Sequence, residues 1–170
     1  HDVVSSTSKT LTLSEVPYAN LNTNEGFILV NKLEFLDSAG EWYYDIDTKT
    51  VYLWTPNGDS PANYIVSGST VENGIVATGK DYITIRDLEI LNNKSKGITF
   101  SVNYVTVDNN IVSNPDSRGI DIVYGSNCTV SNNTVTGANH SGIFTYSTNC
   151  LIADNKVNDT FLFNNIGISG

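Results

Sequence analysis

The sequence predicts an all-β solenoid, a stack of parallel β-helical coils of about 22 residues each, and three observations predict it. The first is a repeated phrase. "ITIRDLEI" from Ile83, "VTVDNNIV" from Val105, "CTVSNNTV" from Cys128 and "CLIADNKV" from Cys150 follow one another at spacings of 22, 23 and 22. The second is a landmark that keeps the same period: Gly97-Ile98, Gly119-Ile120 and Gly142-Ile143 each lie 14 residues after the start of a phrase. The third is alternation of apolar and polar residues inside each phrase, which in pieces this short means strands. A coil of 22 residues at ~3.3 Å per residue follows a path of roughly 70 Å, enough for three short strands and their turns around a filled core. Leucine-rich repeats have a similar period, but they need a leucine ladder that these rows lack.

Composition agrees with that class. The chain has 170 residues, 39% hydrophobic and only 16% charged, so its polarity comes mainly from Asn, Ser, Thr and Gly. That profile suits an ordered protein with many turns better than a disordered chain. A net charge of -9 leaves no basic stripe to offset phosphates, which argues against nucleic acid as a partner. No apolar run approaches the ~18 residues of a membrane helix. The chain opens "HDVVSSTSKT" with no signal-peptide pattern, and reads as a mature or trimmed segment.

The regular coils are assigned to 81–170. Cys128 and Cys150 fall in one inward column above Ile83 and Val105, where a small buried hydrophobe fits. Stacked free thiols are preferred there over a disulfide, because parallel stacked residues point their Cβ atoms the same way. The second residue of each polar pair runs Leu88, Asn110, Asn133, Asn155. Stacked asparagines hydrogen-bond up and down such a column and also tolerate a left-handed turn, so the column is read as structural. The Asn-X-Ser/Thr sequons mostly coincide with these turns and are by-products of the ladder.

Residues 1–80 read as a hairpin-bearing flap on the helix with one or two irregular first coils, within one structural domain. "GEWYYDIDTKTVYLW" suggests strands Trp42–Asp45 and Val51–Trp54 about a five-residue loop. About half of Trp42, Tyr43, Tyr44, Tyr52 and Trp54 are expected to pack onto the helix. "GFILVNKLEFLD" is expected to be a buried strand and lead-in, and "NYIVSGS" and "NGIVATG" further strands.

From residue 24 to the end, this hairpin and the Asn/Gly-rich coils resemble bacterial secreted right-handed parallel β-helix proteins. In those a "GEWYYD…LYLW"-like hairpin precedes the helix. The resemblance implies a polysaccharide-processing enzyme, a lyase or glycoside hydrolase, or a surface protein, in an extracellular or cell-surface setting. It also implies further coils of a longer chain, since this one stops at "NNIGISG" partway through a coil. The leading expectation is a carbohydrate-active segment that binds or processes an extracellular polysaccharide. The rival is a non-catalytic structural or adhesin module.

Solenoids carry function on outward columns. Thr99, Asp121, Phe144 and Ser169 form one such column, with Lys96, Arg118 and Ser141 before the glycines and His140 one step earlier. Arg118, Asp121, His140 and Phe144 are therefore the candidate substrate-binding residues: a cation, a carboxylate, an imidazole and an aromatic platform suit a sugar. "GIDIVYGSNCTVSNN" is similar to the Gly-Ile-Asp segment of polygalacturonases. However, Arg118 stands where that family has a catalytic aspartate, and "HSGIFTYS" stands where it has paired aspartates, so its hydrolase chemistry is not implied. Asp108, Asp116 and Asp121 lie apart in the coil and do not suggest a calcium site. No metal and no cofactor are expected.

Overall fold

The computed structural model describes residues 2–15 and 32–160, and the chain divides into two compact units, 1–30 and 31–170. In the first unit β1 (Val3–Ser6) and β2 (Leu11–Leu13) form a two-stranded antiparallel ribbon.

The second unit begins with a 3-10 turn at Leu33–Phe35. Leu33 and Phe35 are exposed, so this part of the expected buried strand is neither strand nor core. Residues 26–31 of the same stretch lie outside the described residues. The aromatic hairpin follows as β3 (Trp42–Asp45) paired with β4 (Thr50–Leu53). Its loop has four residues rather than five. Asp45 Oδ1 accepts from the amides of Asp47 and Thr48, at 3.0 and 3.2 Å, and Lys49 turns through φ 54°, which brings Thr50 opposite Asp45. Tyr43 and Tyr52 stack across the strands with centroids 5.9 Å apart. Trp42, Tyr44, Tyr52 and Trp54 are exposed and none of the five aromatics belongs to the buried core, so the expected packing onto the helix is not seen. "NYIVSGS" is not a strand either: a 3-10 turn at Pro61–Asn63 takes in its first residue, and Ile65 is 98% exposed.

The coils begin at β5 (Asn73–Ala77), one strand before the boundary drawn from the repeat. Eleven strands follow in order: β6 (Thr84–Arg86), β7 (Glu89–Leu91), β8 (Lys96–Phe100), β9 (Thr106–Asp108), β10 (Ile111–Ser113), β11 (Arg118–Ser126), β12 (Thr129–Ser131), β13 (Thr134–Thr136), β14 (Ser141–Thr148), β15 (Leu151–Ala153) and β16 (Lys156–Asn158). They form three parallel four-stranded sheets, β5-β8-β11-β14, β6-β9-β12-β15 and β7-β10-β13-β16. Each sheet takes every third strand, so the chain climbs one rung per circuit. This is the predicted all-β parallel solenoid.

Register makes each core position a column. Ile98 pairs with Ile120, Phe100 with Ile122, Val107 with Val130 and Val112 with Val135, and all eight are buried. Every buried methylene contributes about 0.8 kcal/mol, and short strands that bury one or two residues each rely on this stacking. The Gly-Ile landmark has a steric cause. A Cβ at Gly119 would lie 2.2 Å from Val135 Cγ1 and 2.5 Å from the Gly142 carbonyl oxygen, so only glycine lets these sheets approach.

The polar pair divides its labour between two residues. The first member, Asp87, Asn109, Asn132 and Asp154, takes the left-handed conformation with φ between 54° and 60°. The second member is the buried ladder. Asn133 Oδ1 accepts from Asn110 N and Nδ2 at 2.9 and 3.0 Å, while Asn133 Nδ2 donates to Val107 O and Ser131 O at 3.0 and 2.9 Å. Asn155 Oδ1 repeats the same acceptance from Asn133 N and Nδ2, at 2.9 Å each. Sequence pattern alone assigned both tasks to the stacked asparagines. The structure gives the turn to their predecessors.

Candidate functional site

Alternation along β11 sends Ile120 and Ile122 into the core and Asp121 outward, in register with Thr99 below and Phe144 above. Outward carboxylates on a solenoid are normally solvated, yet Asp121 is 0% exposed. Its neighbours explain this. Lys96 Nζ lies 2.5 Å from Oδ2, Arg118 Nη1 lies 2.8 Å from Oδ1, and Thr99 Oγ1 donates to Oδ2 at 3.2 Å. Arg118 in turn lies over Phe144, its guanidinium carbon 3.8 Å from the ring centroid. A buried charge is costly unless paired and hydrogen-bonded, and here both oxygens are engaged. The cation–π contact fixes the guanidinium plane from the other side.

Arg118, Asp121 and Phe144 are thus in direct contact, as the sequence suggests. His140 is exposed, with Nδ1 2.7 Å from Ser141 Oγ and its amide donating to Ser117 O at 2.9 Å. It lines an opening of about 560 Å³ with Asp154 and Asn155, which Arg118, Asp121 and Phe144 do not line. Ser169, the last residue of the predicted column, lies outside the described residues.

The sequence did not single out Lys96 as the second cation on Asp121. Its place before Gly97, equivalent to Arg118 before Gly119, was the available signal. Nor did it single out Tyr124 and Tyr146, whose rings meet edge to face at 5.5 Å beside this cluster. A different pair, Tyr82 and Tyr104, stacks with centroids 4.6 Å apart at a left-handed corner.

Chemically, the cluster offers two tethered cations, an aromatic ring and one fully engaged carboxylate. Glycoside hydrolysis needs two carboxyl groups facing the bond, and the one carboxylate here is enclosed and occupied. What remains accessible is part of Arg118 and Lys96, with side-chain exposures of 24% and 29%, and part of the half-buried Phe144, one face of whose ring Arg118 covers. The other acids considered from sequence are engaged elsewhere. Asp108 accepts from Ser131 Oγ at 2.9 Å and Asn132 Nδ2 at 2.8 Å; the bond from Asn132, then that from Ser131, holds its pKa below the ordinary carboxylate value. Asp116 accepts from Asn139 Nδ2 at 2.9 Å. Among the described residues no group of three or more His, Cys, Asp or Glu side chains is arranged to hold a metal ion.

Cys128 is buried and Cys150 half-buried, both as free thiols in adjacent rungs. Burial, first of all, pushes the Cys128 thiol up to about 11. Cys150 Sγ accepts from Ser147 Oγ at 3.2 Å. The stacked-thiol arrangement preferred from sequence is the one present.

A family model described as "Right handed beta helix region" matches residues 54–169, about two thirds of the chain. No curated protein and no solved structure matches it.

Proposed function

Because the chain belongs to the right-handed β-helix family, we propose that its β5-β8-β11-β14 face binds an extracellular polysaccharide without cleaving it. The observation that carries this reading is the enclosed Asp121. Its two ion pairs hold Lys96 and Arg118 in place, and Arg118 is further fixed against Phe144. A surface whose donors and ring are already ordered loses little side-chain entropy on binding, which favours recognition of a hydroxyl-rich ligand. The polysaccharide-enzyme reading of the sequence gains less support, since the single carboxylate of the cluster is inaccessible as an acid, base or nucleophile. An extracellular or cell-surface location goes with this proposal.

The test is a polysaccharide array with the unaltered protein, Phe144→Ala and Arg118→Gln. Binding that falls at least tenfold in both variants supports the face as the site. Binding to nothing, or binding indifferent to both changes, leaves the rival reading of a structural or adhesin module.

A further inference from the structure

Two of the three intervals between rows are 22 residues and one is 23, and the extra residue can be located. Strand β11 pairs with β14 through Val123↔Tyr146, a separation of 23, and then through Ser126↔Thr148, a separation of 22. Against the rung below, Ile122 still pairs with Phe100 at 22. The insertion is therefore a bulge at Tyr124-Gly125. Gly125 is required there, because a Cβ would lie 2.6 Å from the Val102 carbonyl oxygen. Tyr124 is held at φ 61°, a conformation that bulky residues avoid and that asparagine or aspartate fills at most other corners of this molecule. Burial does not explain that choice: Tyr124 is 75% exposed and its partner Tyr146 is 65% exposed. Bulges re-aim side chains and gather beside functional sites. This one aims a ring at Tyr146, which lies two residues beyond Phe144 on β14, roughly 7 Å along the strand and on the same side.

The charge of the surroundings narrows the ligand. Lys96 and Arg118 both face the one Asp121 carboxylate, so the cluster presents little free positive charge. The whole chain carries -9, and its field opposes the approach of a polyanion. Resting on the reading of this face as a polysaccharide site, we infer that the Tyr124 bulge completes an aromatic platform with Tyr146 and Phe144, and that the platform takes an uncharged glycan whose apolar ring faces lie on the aromatic rings. Such binding depends on stacked area and is insensitive to salt.

The experiment is calorimetry of the whole chain with four soluble polymers, a β-glucan, an arabinoxylan, polygalacturonate and alginate, at about 20 and 500 mM NaCl, concentrations that change the screening length several-fold. Tyr124→Asn keeps the left-handed corner and Tyr146→Thr keeps the strand, and thermal unfolding establishes that both variants are folded. The expected result is binding to a neutral polymer that changes less than twofold with salt and falls at least tenfold in each variant. Binding confined to the polyanions and weakened by salt overturns this inference while leaving the polysaccharide reading intact. Neutral binding that survives both substitutions also overturns it, by removing the platform. Binding to none of the four removes the inference, and if the wider array is also blank, the reading beneath it.

Discussion

Asn133 and Asp121 are both enclosed polar side chains, but they are enclosed in different ways. Asn133 has equivalents: Asn110 below and Asn155 above make the same bonds one coil down and one coil up. Asp121 has none among the described residues. Its column holds Val76, Thr99 and Phe144, and its two cations come from two different rungs. Where a polar burial repeats with the coil, the repeat itself explains it, because the stack must satisfy backbone groups at every corner. Where a polar burial occurs once, stacking offers no reason for it. In a solenoid, departures from the period are therefore where function is to be sought, and the Tyr124 bulge is a second departure on the same face.

The largest effect is expected at the repeated system. Asn133→Ala removes the acceptor of Asn110 N and Nδ2 and the donor to Val107 O and Ser131 O, all within or beside the core. Unsatisfied buried groups cost about 1–3 kcal/mol each, partly relieved by relaxation, so a loss of about 3–5 kcal/mol in urea unfolding is expected. Polysaccharide affinity, measured where the variant is still folded, should hardly change. A loss below about 1 kcal/mol would mean the ladder is ornament to the stack rather than its corner, and the comparison would fail.

Asp121→Asn should reverse that balance. It strands Lys96 and Arg118, but both retain about a quarter of their exposure and can turn toward water, so the stability cost is expected near 1–3 kcal/mol, below the range for a fully buried pair. Binding on the face should fall at least tenfold, because the guanidinium loses its anchor. Adding Lys96→Met to the variant should recover stability but not binding. If Asp121→Asn instead costs as much stability as Asn133→Ala and spares binding, the cluster is structural.

These contrasts also show what the sequence could tell. The columns were legible because they repeat: the spacing of Cys128 and Cys150 placed them in adjacent rungs, and Gly97, Gly119 and Gly142 marked the close approach of sheets. The contact of Arg118, Asp121 and Phe144 followed from the same spacing. The enclosure of Asp121 was not legible, since it depends on Lys96 reaching across from another coil. The hairpin was placed within one residue, but its aromatics pair with one another and face outward, a tertiary outcome that alternation does not determine. The 23-residue spacing was visible from the start. Its meaning required knowing which side chain the extra residue aims.

Cys128 gives the smallest effect and the sharpest check on the rule that repeated positions are structural. It stands in the column of Ile83, Val105 and Cys150, and burial raises its thiol from 9.0 to about 11. Below pH 9 the thiol is protonated in the folded and the unfolded chain, and its contribution to stability is fully present. Above pH 9 the unfolded chain releases the proton first, so stability falls as pH rises and levels off once the folded thiol has also titrated, near 11. The loss is on the order of 2 kcal/mol. Cys128→Val, which copies Val105 from the rung below, should remove that part of the alkaline decline while leaving stability at neutral pH within about 1 kcal/mol. Tyrosines and lysines titrate in the same range, so the difference between the two proteins' pH profiles is the quantity to measure. Matching profiles, with Cys128 alkylated as fast as an exposed thiol, would mean that water reaches the column and that this repeated position is not closed by its neighbours.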